Sequence, residues 1–170
     1  MRRFLDWLRA EAKGWDAVTT IFKVVVINFV WSSPVAFLFE QFGISRRGMG
    51  FEIPYLFLPD DILPFFAFGA AAEEFLFRFL PLVAILQITK NAPKNDGWVL
   101  GVTIASSMLF GYLHGGVPFI FLQGVLGFLL SVVFLKCGGF QGKFLKAIVA
   151  SSLCHLAFNL LIVSRVLAGG

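Results

Sequence analysis

Long apolar runs separated by short polar stretches dominate the chain. Val18 to Phe39 has Lys23, Asn28 and Pro34 as its breaks, and Ile62 to Thr89 carries Glu73, Glu74 and Arg78 inside it. Trp98 to Leu113 and Val117 to Leu135 contain no charge, and Ala147 to Val163 has His155 as its one titratable group besides Cys154. A helix needs about 20 residues to cross a hydrocarbon core of roughly 30 Å, so these lengths predict five helical spans. The expected fold is therefore all-α, a polytopic transmembrane helical bundle. Its connections are short, which favours antiparallel neighbours.

The first sixteen residues mix Arg2, Arg3, Arg9 and Lys13 with Asp6, Glu11 and Asp16. Phe4, Leu8 and Trp15 can share one helical face, which predicts an N-terminal interfacial helix. A cleavable signal peptide would place an uncharged apolar stretch directly after the basic start, and Asp6, Arg9 and Glu11 interrupt it, so the segment reads as mature chain. Between Gln41 and Asp61, Gly43, Arg46, Arg47, Gly48, Gly50, Pro54, Pro59, Asp60 and Asp61 predict a loop, with Tyr55 to Leu58 dipping into the interface. No internal repeat is visible. The chain divides into residues 1–61, holding the interfacial helix, first span and loop, and residues 62–165, a core of four spans.

Composition narrows the class. The chain is 58% hydrophobic and 14% charged, with 22 phenylalanines against 2 tyrosines; soluble domains average about a quarter charged. So much apolar surface exceeds what a core of this size hides from water, and lipid is the expected solvent. The net charge of +4 is spread in ones and twos with no basic face, which argues against nucleic-acid binding. The charge reads instead as topology. With the N-terminus inside, Arg2, Arg3, Arg9, Lys13, Lys90, Lys94, Lys136, Lys143 and Lys146 are cytoplasmic, against Arg46, Arg47 and Arg165 outside. A multi-pass plasma-membrane protein with a cytoplasmic N-terminus is the expectation. Cys137 and Cys154 fall at different depths, have no metal-ligand spacing and read as small apolar fillers.

Ionisable groups inside a span cost about 2.5 kcal/mol or more on insertion scales, so they usually face the bundle interior and mark function. Both histidines of the chain, His114 and His155, fall in or at the ends of apolar spans, together with Glu73, Glu74, Arg78 and Asn159. Glu74 and Arg78 are four apart in the favourable order for an ion pair. Glu73 is rotated about 100° from Glu74 and faces something else. Phe110 and His114 share a helical face, and Gly111 and Gly115 form a small-xxx-small pair that admits another helix closely, a route for bringing His114 beside Glu73. His155 and Asn159 share a face deep in the fifth span. The plain alternative for each group is polar glue between helices.

Glu-Glu-x-x-x-Arg (Glu73, Glu74, Arg78), Phe-x-x-x-His (Phe110, His114) and His-x-x-x-Asn (His155, Asn159), in that order and in successive membrane segments, resemble the CPBP family. That family comprises the CAAX-processing type II endopeptidases, related to the Ras-converting CAAX endopeptidase, and the Abi and bacteriocin-processing proteins. The resemblance covers about residues 62 to 165. The prenyl endopeptidases are larger, so the N-terminal helix and first span stand for a much reduced N-terminal part.

The resemblance implies an endopeptidase acting on a peptide or lipidated protein at the membrane. By resemblance and spacing, Glu73 is the general base, His114 holds the same water, and His155 and Asn159 donate to the oxyanion, with Glu74, Arg78 and Phe110 supporting. The mechanism favoured on this basis uses no cofactor. The competing one is a catalytic zinc site with Glu73, His114 and His155 as ligands; the chain lacks the His-Glu-x-x-His spacing, and Asn is an unusual zinc ligand. Two other classes remain: a catalytically silent scaffold or immunity protein of the same fold, and a proton or ion pathway. Gly124, Gly127 and Ser131 offer one close-packing face, and the oligomeric state is not legible.

Overall fold

A computed structural model describes residues 2–44, 59–89 and 96–167, and among these every regular element is helical. The expected dip at Tyr55 to Leu58, with most of the loop around it, lies outside the described residues. Six helices follow in order. They are α1 (Arg2–Arg9), α2 (Trp15–Gln41), α3 (59–89), α4 (Asp96–Leu113), α5 (Val117–Gly139) and α6 (Phe144–Leu167). By length and composition α2, α5 and α6 can each cross a membrane, and α4 is a shorter apolar helix. Every 18-residue window of α3 holds Glu73 and Glu74 plus at least one further charge, which makes it the most polar of the five long helices.

Helix ends fix which elements lie together. Phe39 near the end of α2 meets Phe119 at the start of α5, ring centroids 5.7 Å apart, and Trp31 Nε1 donates to the Phe121 carbonyl at 2.8 Å. At the opposite end, Leu5 and Leu8 of α1 pack into one cluster with Leu82, Val99, Leu135 and Ala147. Helices α2 and α6 thus run parallel to one another and antiparallel to α5. The bundle has two distinct ends, one carrying α1 and one carrying the α4–α5 turn.

The N-terminal helix is present but shorter than the pattern suggested, and its buried face differs. It ends at Arg9, Leu5 and Leu8 are the buried pair, and Trp15, 81% exposed, opens α2. Phe4, Leu8 and Trp15 do not share a face because the helix stops before Trp15. Lys136, at the end of α5, reaches back to the Trp7 and Ala10 carbonyls and lies over the Trp7 ring at 4.6 Å. These are orphan carbonyls of a helix C-terminus, which a cation satisfies. Glu11 bridges Lys143 at 2.8 Å and Lys146 at 2.7 Å, and the two lysines, Lys143 first, hold its carboxyl down at about 2.

Lipid tails are as apolar as leucine, so close packing and polar contacts must hold such helices together. Gly111 and Gly127 serve this purpose. A Cβ at Gly111 would stand 2.7 Å from Gly124 N and 2.7 Å from Ile120 Cα, so α4 lies against the first turns of α5 there. Gly111 therefore admits α5, its hairpin neighbour, and not the helix that carries Glu73. The turn between them needs glycine at Gly116, whose φ of 82° L side chains rarely adopt. Pro118 then sits in the first turn of α5, where its missing N–H has no helical partner to lose. Cys137 and Cys154 are free and buried in one apolar cluster.

Candidate active site

The Glu-Glu pair lies at the last turn of regular α-helix before α3 widens. From Phe75 to Phe79 the helix is a π-turn, closed by Leu80 N–H bonding to the Phe75 carbonyl. One extra residue in a turn rotates everything after it relative to everything before, and such π-bulges concentrate at functional sites. Here it separates Glu73 and Glu74 from the apolar second half of α3. Nothing in the residue pattern marks it.

Glu74 is fully buried, and its Oε1 lies 3.2 Å from Arg78 Nη1, so the expected pair is present. The same Oε1 also accepts from Nδ1 of His155 at 3.2 Å. That second contact is absent from the sequence reading, because it depends on how α3 crosses α6. The guanidinium of Arg78 stacks on the Phe110 ring, 4.2 Å from its centroid, in a slot that Gly127 leaves open: a Cβ there would stand 2.9 Å from Nη2. Glu74 Oε2 and both Nη atoms of Arg78 are buried with no hydrogen-bond partner, so the pair is held by charge and stacking more than by aligned hydrogen bonds.

Glu73 points the other way, as the 100° offset requires, and 36% of its side chain stays accessible. Its two oxygens face two different imidazoles: Oε1 is 3.7 Å from Nε2 of His114, and Oε2 is 3.6 Å from Nε2 of His155. Both rings are anchored by their other nitrogen. Nδ1 of His114 lies 2.7 Å from the Phe110 carbonyl, and Nδ1 of His155 faces Glu74. A carbonyl and a carboxylate only accept, so each Nδ1 carries a proton and each Nε2 is turned to Glu73. Phe110 ties the arrangement together. Its ring centroid lies 4.2 Å from that of His114, 6.0 Å from that of His155 and 5.2 Å from that of Phe77.

Separations of 3.6 to 3.7 Å are too long for direct hydrogen bonds. His114 is the first residue beyond α4 and 23% exposed, whereas His155 is buried in α6. Asn159 is half-buried one turn beyond His155. Of the sequence-selected residues, Glu73, Glu74, Arg78, Phe110, His114 and His155 form one connected cluster. Among the described residues, no group of three His, Cys, Asp or Glu side chains has the geometry of a metal ligand set.

A family model described as type II CAAX prenyl endopeptidase Rce1-like matches residues 56–161, more than half of the chain. No curated protein and no solved structure matches.

Proposed function

The chain belongs to the Rce1-like type II CAAX prenyl endopeptidase family, an integral-membrane peptidase family, and we propose that it hydrolyses a peptide bond of a membrane-associated substrate with a water activated by Glu73 and His114. The observation that supports this is the pair of anchored imidazoles that turn Nε2 toward the two oxygens of one half-exposed carboxylate.

In the proposed step Glu73 accepts a proton from the water, and His114 Nε2 orients it. The water oxygen bonds to the scissile carbonyl carbon, and the carbonyl becomes a tetrahedral oxyanion. His155 Nε2–H and the Asn159 carboxamide donate to that oxyanion, a contribution of about 3–4 kcal/mol for one such donor in other hydrolases. Because Nδ1 of His155 is committed to Glu74, donation from Nε2 requires both ring nitrogens to be protonated. The imidazolium then lies between two carboxylates, and with Arg78 the four-residue set is neutral. The C–N bond breaks as the Glu73 carboxyl returns its proton to the leaving nitrogen, restoring the carboxylate. The Phe110 carbonyl sets the His114 tautomer, Glu74 accepts from Nδ1–H of His155, and Arg78 balances the charge of Glu74 behind the site.

Substrates of both CAAX and leader or bacteriocin type fit this chemistry, since neither needs a side-chain nucleophile. Glu73, His114 and His155 are also the groups that would hold a zinc ion in the competing mechanism, and there the ion would supply the activated water. The test is cleavage of a mixed membrane-peptide library by the purified protein in detergent, with and without a strong chelator. Cleavage that survives the chelator is expected. Loss on chelation transfers the water activation to a metal, and absence of cleavage favours a silent scaffold.

A further inference from the structure

We propose that Asn28 of α2 and Gln123 of α5 bind the main chain of the substrate beside the scissile bond, each carboxamide pairing with one peptide unit. The proposal rests on the endopeptidase reading and adds two residues that the reading itself does not use.

Both amides are buried in long apolar helices and lack partners. Asn28 is 1% exposed and Gln123 8%. Oδ1 of Asn28 has no hydrogen-bond partner, and no hydrogen bond joins the Gln123 amide to another described residue. The buried hydroxyls differ, because Thr103, Ser107, Ser131 and Ser151 each donate to a carbonyl of their own helix. An amide withdrawn from water without a partner costs free energy that an apolar side chain of the same size does not. A ligand offering both a donor and an acceptor removes that cost.

The helix faces aim both amides toward the candidate site. Gln123 stands one turn before Leu126 and Gly127 in α5. Gly127 faces Arg78 and Phe110, and Leu126 packs in the cluster that holds Phe110, Cys154 and Phe158. Residues three and four apart share a helical face, so Gln123 looks into the bundle one turn closer to the α4–α5 turn than the Arg78 slot. It sits in a second π-turn, Ile120–Gly124, whose backbone lies against Gly111, next to Phe110 and three residues before His114. In α2, Asn28 belongs to the buried stripe of Val24, Asn28 and Ser32. Val24 packs in the cluster of Leu126 and Leu130, and Trp31 bonds to the Phe121 carbonyl. Because α2 and α5 run antiparallel, Asn28 falls between those two contacts, level with the stretch that holds Gln123. Across from them in the same cluster are Cys154 and Phe158, the sequence neighbours of His155 and Asn159.

A peptide in this place lies among helices whose backbone groups are bonded within each helix, so its own N–H and C=O groups need side-chain partners. A carboxamide has an acceptor oxygen and two donor hydrogens, the complement of a peptide unit. In the proposed reaction Glu73 and His114 hold the water, and His155 and Asn159 hold the oxyanion, which leaves the flanking peptide units to Asn28 and Gln123. The wall that yields to admit them is α2: 17% of its most apolar window is buried, against 61% for α5 and 39% for α6. Recognition of this kind tolerates many side chains and fails where a flanking peptide nitrogen is methylated.

Two measurements on the full-length protein in detergent test the proposal, wild type against Asn28→Leu and Gln123→Met, which keep the side-chain size and remove the amide. The first is the unfolding midpoint without substrate. An unchanged or higher midpoint is expected, since no internal hydrogen bond is lost. A lower midpoint shows that the amide joins helices and overturns the proposal for that residue. The second is kcat/KM on a cleaved library peptide and on analogues methylated at one flanking nitrogen at a time. One neutral hydrogen bond corresponds to about five- to tenfold, so each variant should fall by about that factor on the unmodified peptide. Methylation at the matching nitrogen should cost the wild type as much and the variant nothing further. Wild-type kcat/KM in the variants, or a full additional loss on every methylated peptide, overturns the proposal. A wild type that cleaves no peptide removes the endopeptidase reading, and the midpoints then decide alone whether the amides form a binding surface or a structural contact.

Discussion

Replacing Gly127 by alanine tests whether the slot for Arg78 is as tight as its geometry implies. The added Cβ would stand 2.9 Å from Arg78 Nη2, 3.2 Å from Phe110 Cδ1 and 3.2 Å from Ser107 Cα. Carbon contacts are optimal at about 3.5–4.0 Å, so something must move. Ser107 Cα is backbone and the Phe110 ring is rigid, so the end of the longer, flexible Arg78 side chain is the group that shifts, and shifting it pulls Arg78 away from Glu74. Overpacking of this kind costs about 1–3 kcal/mol. Alanine also gains about 1 kcal/mol over glycine in a helix interior, which opposes the loss. Gly101→Ala in α4 isolates the steric part, because nothing lies within 4 Å of a Cβ there. The helix gain is common to both variants, so the difference between them should be about 1–3 kcal/mol, with Gly127→Ala the less stable. The assay is reversible denaturant unfolding in mixed micelles, followed by tryptophan fluorescence. If the two variants agree within about 0.5 kcal/mol, the ordinary scatter of neutral substitutions, the slot is not tight and the account of Arg78 fails.

Three further outcomes follow from the site and its surroundings. Glu74→Leu leaves the buried Arg78 uncompensated and should lower stability by about 3–5 kcal/mol, whereas the Glu74→Leu/Arg78→Met double variant should recover most of it. Neither variant offers Nδ1 of His155 a carboxylate. With only two histidines in the chain, nitrogen-15 spectra should show the His155 Nδ1 signal shifted in both variants while His114 keeps its tautomer; an unchanged His155 signal would show that Glu74 does not hold Nδ1. The Glu11 clasp should add its stability in full above pH 4.5 and lose it as pH falls toward about 2, because the folded carboxyl is held below its ordinary value by Lys143 and Lys146. Limited proteolysis of α1 across that range reads it, and release of α1 at neutral pH would contradict the assignment.

Much of this molecule was legible in its sequence, for identifiable reasons. Lipid forces every span to be long, apolar and helical, so run length located the five long helices, and the same solvent makes each buried charge conspicuous. Glu73, Glu74, Arg78, His114 and His155 stood out on that ground alone. Spacing within one helix was equally readable, which is why the Glu74–Arg78 pair and the divergence of Glu73 were anticipated. Contacts set by how two helices cross were not. The bond from His155 Nδ1 to Glu74 joins residues 81 apart, and the π-turn at Phe75–Phe79 follows no residue signature. Gly111 shows the limit of a motif: small-xxx-small predicted a close approach and there is one, but the approaching helix is α5. The end of α1 at Arg9 was missed because heptad-like spacing ran on into α2, past a residue with a φ of 49°, Gly14.

The central claim is that Glu73 activates the attacking water. Its most direct test is the single-turnover cleavage rate of Glu73→Gln against wild type, on one peptide identified from the library, with the nitrogen-15 signals of the Nδ1 atoms of His114 and His155 confirmed unchanged. The carboxamide keeps the size and oxygen of the side chain but cannot take the proton. General-base catalysis contributes about 10²–10⁴-fold, so a fall of at least a hundredfold with both rings in place is predicted. A rate within a few-fold of wild type would contradict the account and move the base elsewhere.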